Sequence, residues 1–190
     1  EAAGSHPPAS NDRFAVVVNG NAKSVSDEVI ETLDSILDKG DLFVSRRIED
    51  SEAIARTLVD RGYGTILTGG GDGTFTVVVT AVVREAERRD LPLPRFGLLR
   101  LGTGNSLAWL LGASRTGKGR TTRALEVDIG RLRADAGSRE LRLVEVDGML
   151  APFCGFGVDA IGLRDYNATR KVLSRGPLRK LAAGALGYAV

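Results

Sequence analysis

An α/β fold is what this sequence predicts: a doubly wound parallel sheet first, then the beginning of an antiparallel β region. Three observations carry the prediction. Short apolar runs alternate with segments whose apolar residues recur at helical spacing. The strand-like runs end in turns rich in Gly and Asn. Beyond residue 130 the apolar period drops to two, and an Asp-Gly pair separates two apolar runs. On this reading residues 1–12 are a disordered leader. Residues 13–130 are an α/β domain, and 131–190 begin an incomplete β-rich domain.

The elements follow in order. Phe14 to Val18 is a continuous apolar run, a buried strand, and it ends in the polar turn Asn19-Gly-Asn-Ala-Lys-Ser24. Ser24-x-x-Asp27 resembles an N-cap signal. The helix behind it presents Val25, Val29, Ile30, Leu33, Ile36 and Leu37 on one face, and Gly40 stops it. Leu42 to Val44 is a second strand, leading into Ser45, Arg46 and Arg47. A helix begins near Ser51, with Ala53, Ile54, Leu58 and Val59 inward and Gly62 at its end. Ile66 and Leu67 form a third strand. Phe96 to Leu99 is a fourth, entered from the loop Leu91 to Pro94. Leu107 to Leu111 is a short apolar helix, and Thr122 to Glu126 reads as another. Leu141, Leu143, Val144 and Val146 are strand-like, and Asp147-Gly148 joins Leu143–Val146 to Met149–Phe153 as a hairpin.

The stretch Thr65-Ile-Leu-Thr-Gly-Gly-Gly-Asp-Gly-Thr-Phe-Thr76 organises the chain. A strand runs into Gly69, Gly70 and Gly71, and Phe75, Val78, Val79, Val82, Val83 and Ala86 continue at helical spacing. Such a turn exposes backbone N–H groups at a helix start and suits a phosphate. Asp72 stands out, because a carboxylate beside phosphates repels them. It fits if it touches Mg²⁺ or takes a proton from an attacking hydroxyl. The alternative is a turn residue or N-cap. A parallel sheet brings this turn beside Asn19 with Lys23 and beside Thr103 with Asn105, where open α/β sheets bind ligands. Lys23 and Arg47 are candidate phosphate cations or solvated surface.

Composition excludes several classes. The 190 residues carry a net charge of +2, which gives no sign of nucleic-acid binding. The single histidine, His6, lies in the leader, arguing against a Ser-His-Asp hydrolase and against histidine zinc sites. The single cysteine, Cys154, reads as a buried inert thiol and fits a reducing compartment. The leader has no signal-peptide core, and no apolar run is long enough to span a bilayer. Arg115-Thr-Gly-Lys-Gly-Arg120 lacks the spacing of a P-loop and follows no strand. The basic segment Arg164 to Val190 is either a solvated surface or a face for anionic headgroups. Asp159, in Gly155-Phe-Gly-Val-Asp-Ala160, is functional or a turn residue.

Gly70-Gly-Asp-Gly-Thr74, followed by Leu101-Gly-Thr-Gly-Asn105 and Leu107-Ala108, resembles the catalytic domain of diacylglycerol kinases and related lipid kinases, including sphingosine kinases. The resemblance runs from about Phe14 to Tyr188. The glycine element alone is shared with NAD kinases and phosphofructokinases. The resemblance implies an ATP site between an α/β domain and a C-terminal β-sandwich domain. It implies contacts from Asn19, Gly20, Asn21 and Lys23, from Gly70, Gly71, Asp72, Gly73 and Thr74, and from Thr103 and Asn105, with Arg47 nearby. Asp72 would be the catalytic residue, with Mg²⁺ as the second cofactor and its ligands unassigned.

The implied substrate is a diacylglycerol-like or sphingoid lipid at a membrane surface. The setting is cytoplasmic, peripheral to the inner face, with a homodimer as one assembly. Two rival readings remain: a nucleotide-binding regulatory domain without kinase activity, and a soluble-substrate kinase of the NAD kinase type. Three departures stand out. Thr76 and Val77 replace the family's usual Asn and Glu, Ser106 replaces the Asp of most bacterial relatives, and the second domain that the resemblance implies is expected only to begin within this chain.

Overall fold

The computed structural model describes residues 13–37, 41–134, 137–157, 160–162 and 164–165. The leader, Gly40, Asp159 and most of the basic segment after Arg164 lie outside these residues. Two compact units divide the chain, Glu1–Pro152 and Phe153–Val190.

In the first unit, β1 (Phe14–Asn19), β2 (Leu42–Ser45), β3 (Thr65–Gly70) and β4 (Arg95–Arg100) form one parallel sheet in the order β2-β1-β3-β4. The helices between them are α1 (Asp27–Ile36), α2 (Asp50–Asp60) and α3 (Asp72–Arg88). The short α4 (Ser106–Leu110) and the longer α5 (Thr121–Arg133) follow β4.

Strand order and crossover handedness fix which face each helix covers. From β1 the chain steps outward to β2, then back across β1 to β3 and on to β4. Right-handed crossovers put α1 on one face and α2 and α3 on the other. The cores agree. Val16, Val18 and Leu67 pack with Val29 and Leu33 of α1 and with Leu125 and Ile129 of α5. The alternate residues Ala15, Val17 and Ile66 pack with Ala55 and Leu58 of α2 and Val78 and Val82 of α3. The strand period of two thus feeds two layers.

Several boundaries differ from the sequence reading. Ser26, not Ser24, caps α1, its hydroxyl accepting the Val29 N–H at 3.3 Å. The Ser24 N–H instead donates to Leu101 O at 3.0 Å. In α2 Ala55 is buried and Ala53 faces solvent, because Ser51, Ala55 and Leu58 recur at i, i+4 and i+7 on the inward face. Gly62, at φ +64°, ends it as expected. Gly69 and Gly70 belong to β3, paired with Leu99 and Arg100, so only Gly71 begins the turn. The expected short helix at Thr122 runs as α5 to Arg133, continuous through Gly130.

The Asp147-Gly148 hairpin forms as read, between β5 (Val144–Val146) and β6 (Met149–Ala151). Asp147 and Gly148 both take positive φ, the type I′ requirement. The hairpin lies on α3. The Leu150 N–H donates to the buried Thr80 hydroxyl at 2.9 Å, and Leu143 and Leu150 join Phe75, Val79 and Val83. Leu141, expected in a strand, lies outside one and is exposed.

At the opposite end of α3, Glu85 receives Arg88 and Arg89, and Arg89 also pairs with Asp60 of α2. Hydrogen bonding from Arg88, the largest cause, and from Arg89 lowers the Glu85 carboxyl from its ordinary 4.5 to about 2.

In the second unit, Cys154 is half-buried rather than buried, and residues 160–162 and 164–165 are helical.

Three outcomes follow. Ala53→Lys should change stability by no more than about 0.5 kcal/mol. Ala55→Leu should cost about 1–3 kcal/mol through overpacking, measured by urea unfolding. Glu85 is more acidic folded than unfolded, so its stabilisation is present above pH 4.5 and is lost as pH falls towards 2. Glu85→Gln should flatten that part of a stability-against-pH profile.

Candidate active site

In this strand order the chain reverses direction across the sheet between β1 and β3. Open α/β sheets form their ligand crevice at such a point, outside the carboxyl ends of the strands. Asn19 ends β1 there and Gly70 ends β3. The two ends are tied together, with Asn19 Nδ2 donating to Thr74 Oγ1 at 3.2 Å. Asn19 Oδ1 accepts the Asn21 N–H at 2.9 Å, closing the first turn on itself. Gly20 donates its N–H to Ser45 O at 2.8 Å, and Asn21 Nδ2 reaches Arg46 O at 2.6 Å. The turns after β1 and β2 are therefore one connected layer.

The β3–α3 turn meets the loop after β4 backbone to backbone. Gly70 O accepts the N–H groups of Leu101 at 3.3 Å and Gly102 at 2.9 Å, and Asp72 N–H donates to Gly104 O at 3.1 Å. A Cβ at Gly102 would collide with Gly71 N and Cα, and one at Gly71 would lie 2.5 Å from Gly104 O. A Cβ at Gly70 would collide with the Thr74 side chain. Asn105 folds its side chain back, Nδ2 donating to Gly102 O at 2.6 Å and Oδ1 accepting Gly102 N–H at 3.2 Å.

Asp72 is a cap, but of another helix. Its Oδ2 accepts the Ser106 N–H at 3.0 Å and its Oδ1 the Leu107 N–H at 3.1 Å. These are first-turn amides of α4, which have no partner inside that helix. The carboxylate is partly exposed and keeps one further acceptor position on each oxygen.

At the start of α3 the N–H groups of Thr74 and Phe75 donate to Gly71 O. Gly73 is different. Its N–H has no acceptor among the described hydrogen bonds, it is exposed, and a Cβ there would meet nothing within 4 Å. No packing of the chain itself requires glycine at 73.

The predicted residues divide on this geometry. Asn19, Gly70, Gly71, Asp72, Gly73 and Thr74 share one locus with the loop bearing Thr103, which is exposed, and Asn105. Lys23 is exposed and lines a groove with Ser26, Lys118 and Arg123. Arg47 is exposed in the β2–α2 turn, and its N–H donates to Asp50 Oδ2 at 2.9 Å, as does that of Arg46 at 2.8 Å. Those two bonds lower the Asp50 carboxyl below its ordinary value. Gly102, Ser106 and Leu107 were not among the expected site residues. They act through backbone groups, for which only the Gly-Thr-Gly spacing gave a signal. Among the described residues no cluster of three His, Cys, Asp or Glu side chains could hold a metal ion.

The profile of the diacylglycerol kinase catalytic domain matches residues 13–134, which includes the sheet and both glycine loops. The chain belongs to the diacylglycerol kinase catalytic domain family. Similar curated members of bacterial origin carry the name probable lipid kinase. One, YegS of Salmonella arizonae, is 33% identical over 92 residues, covering 46% of this chain and 30% of that protein. Another, named YegS-like, from Enterobacter sp. strain 638, is 33% identical over 93 residues with the same coverage. The match thus spans less than a third of those relatives. The family's two glycine motifs are the two loops that interlock here.

The two kinds of glycine in this kinase-family turn can be separated. Gly102→Ala should destabilise the fold by more than about 1 kcal/mol, since the Cβ meets backbone. Gly73→Ala should leave the urea midpoint no lower than that of the parent, because its Cβ meets nothing and alanine favours the first turn of α3.

Proposed function

We propose that this chain is the nucleotide-binding part of a lipid kinase that moves the γ-phosphoryl group of ATP to a hydroxyl of a diacylglycerol-like or sphingoid lipid. The observation that carries this reading is the unpartnered Gly73 amide beside an oriented Asp72, at the crevice between β1 and β3. The names of the relatives support the class of acceptor.

The residues present fit the nucleotide. The Gly73 N–H offers a donor to a phosphate oxygen at the start of α3, and the missing side chain allows close approach. Thr74, Asn19 and Thr103 would surround the same phosphates. Magnesium would be held mainly on the phosphates, since such ions are rarely caged by protein alone, which leaves Asp72 free to act as the base. When bound, the ion neutralises charge on the transferred group.

Asp72 would accept the proton of the lipid hydroxyl. The hydroxyl oxygen then bonds to the γ-phosphorus as the bond to the ADP oxygen breaks. The amides of Ser106 and Leu107 fix the carboxylate for this, so little reorganisation accompanies the step.

A second reading is a nucleotide-binding regulatory domain, favoured by the engagement of both Asp72 oxygens with α4. Asp72→Asn also loosens α4, because an amide group would face an N–H. The test therefore pairs two measurements on the full-length natural protein. Transfer of radiolabelled phosphate to lipid should fall at least about 100-fold in Asp72→Asn. Binding of ATP should weaken far less. Normal turnover in the variant rules out the base role, and ATP binding by the parent protein without lipid phosphorylation selects the second reading.

A further inference from the structure

The turns that follow β1 and β2 carry three cations, Lys23, Arg46 and Arg47. The fold sends them to different places. Lys23 lines a groove beside α1, where Glu28 and Glu126 stand with Lys118 and Arg123. Arg47 faces the start of α2. The Asp50 carboxyl there is lowered first by the N–H groups of Arg46 and Arg47, and also by the charge of the Arg47 guanidinium.

Arg46 lies over Gly20, in the turn that Asn19 opens. A Cβ at Gly20 would stand 3.3 Å from Arg46 Cγ and 3.4 Å from Arg46 Cζ. Adding one carbon–carbon bond puts the guanidinium carbon within about 5 Å of the Gly20 Cα. Stem and head both touch the turn, so the side chain runs along it with its outer surface exposed. Gly20 is not in the left-handed region, so its backbone does not require glycine. What the missing side chain provides is room. A Cβ would crowd Val44 Cγ1 at 3.0 Å and lift Arg46 off the turn.

The backbone of Arg46 is fixed from both sides. Its N–H donates to Asp50 Oδ2 at 2.8 Å, and its carbonyl accepts Asn21 Nδ2 at 2.6 Å. Among the described ion pairs and hydrogen bonds, no acid meets its guanidinium. Lys23 and Arg47, by contrast, share their surroundings with carboxylates.

We propose that Arg46 is the cation that binds the polyphosphate of the nucleotide, in place of Lys23 and Arg47. The inference rests on the nucleotide-site reading and adds a binding residue to it. Asn19, next to Gly20, is tied to Thr74, so Arg46 stands on the β1 side of the crevice. The Gly73 amide and Asp72 stand on the β3 side. Phosphates between the two sides meet donors from both. A guanidinium offers a planar fork to two non-bridging oxygens, and its charge offsets the repulsion from Asp72.

The test titrates the full-length natural protein with Mg-ATP by calorimetry at several salt concentrations. Arg46→Ala should raise Kd at least about tenfold and flatten its dependence on salt, because a charged contact is lost. Arg46→Lys keeps the charge without the fork and should recover part of the loss. Arg47→Ala should raise Kd by less than about twofold. All three variants should keep the parent's urea midpoint, since both side chains are exposed.

An unchanged Kd in Arg46→Ala overturns the proposal. An equal loss in Arg47→Ala also overturns it, because the net charge of the turn then carries the effect. So does a loss in Arg46→Ala that leaves the salt dependence as steep as before, which assigns the effect to packing on Gly20. A parent protein that binds no Mg-ATP sinks the nucleotide-site reading and this inference with it. Binding that survives Arg46→Ala sinks this inference alone.

Discussion

The backbone of Gly70 and Gly71 lies directly against that of Gly102, with no side chain between them. Gly70 O takes two N–H groups from the facing loop, and that loop returns Gly104 O to the Asp72 N–H. This contact fixes the end of β3, the start of α3 and the exit from β4 relative to one another. It also sets where α4 begins, since the Asp72 carboxylate is the acceptor for that helix's first amides. Side chains of any other kind at 71 or 102 would push the two loops apart, and α4 would lose the carboxylate that caps its first turn.

The sheet supplies the setting for that contact. Strand alternation sends Val16, Val18 and Leu67 to one layer and Ala15, Val17 and Ile66 to the other, so both faces are covered. With both faces sealed, the open part of this unit's sheet is the edge where strands end. The reversal between β1 and β3 parts the chain there, and the Asn19–Thr74 hydrogen bond spans the gap. Packing energy thus places the crevice, and polar contacts shape it.

How much of this was legible in the sequence depends on what each feature is made of. Four parallel strands alternating with helices and the Asp147-Gly148 hairpin follow from apolar period and turn chemistry, and all are present. In the inward stripe of α2 only Ala53 was misread, for Ala55, since Leu58 is buried and Ile54 and Val59 pack on the core as expected. Asp50 accepts the amides of Arg46 and Arg47, four and three residues back, a local side-chain-to-backbone contact that apolar periodicity does not report. Ser24 looked like a cap because its spacing to Asp27 was right, yet Leu101, far along the chain, claims its N–H. The glycine run was legible as a tight turn between β3 and α3 but not as a division of labour. Whether a glycine serves the chain or leaves room for something else depends on what stands opposite it, and only the fold sets that.

That division bears on the charge problem posed by Asp72. An anionic side chain at a phosphate site should repel the ligand by an amount that depends on how freely its field spreads. Here each carboxylate oxygen already accepts a backbone N–H from α4, so part of its charge is met by fixed dipoles. The same two bonds remove the rotational freedom that would let the group swing away from, or into, an incoming phosphate. The Gly73 amide stays open one residue further on. Acceptor and donor are therefore adjacent in sequence yet separately supported. That is the arrangement required if one is to receive a proton while the other holds the phosphate oxygens.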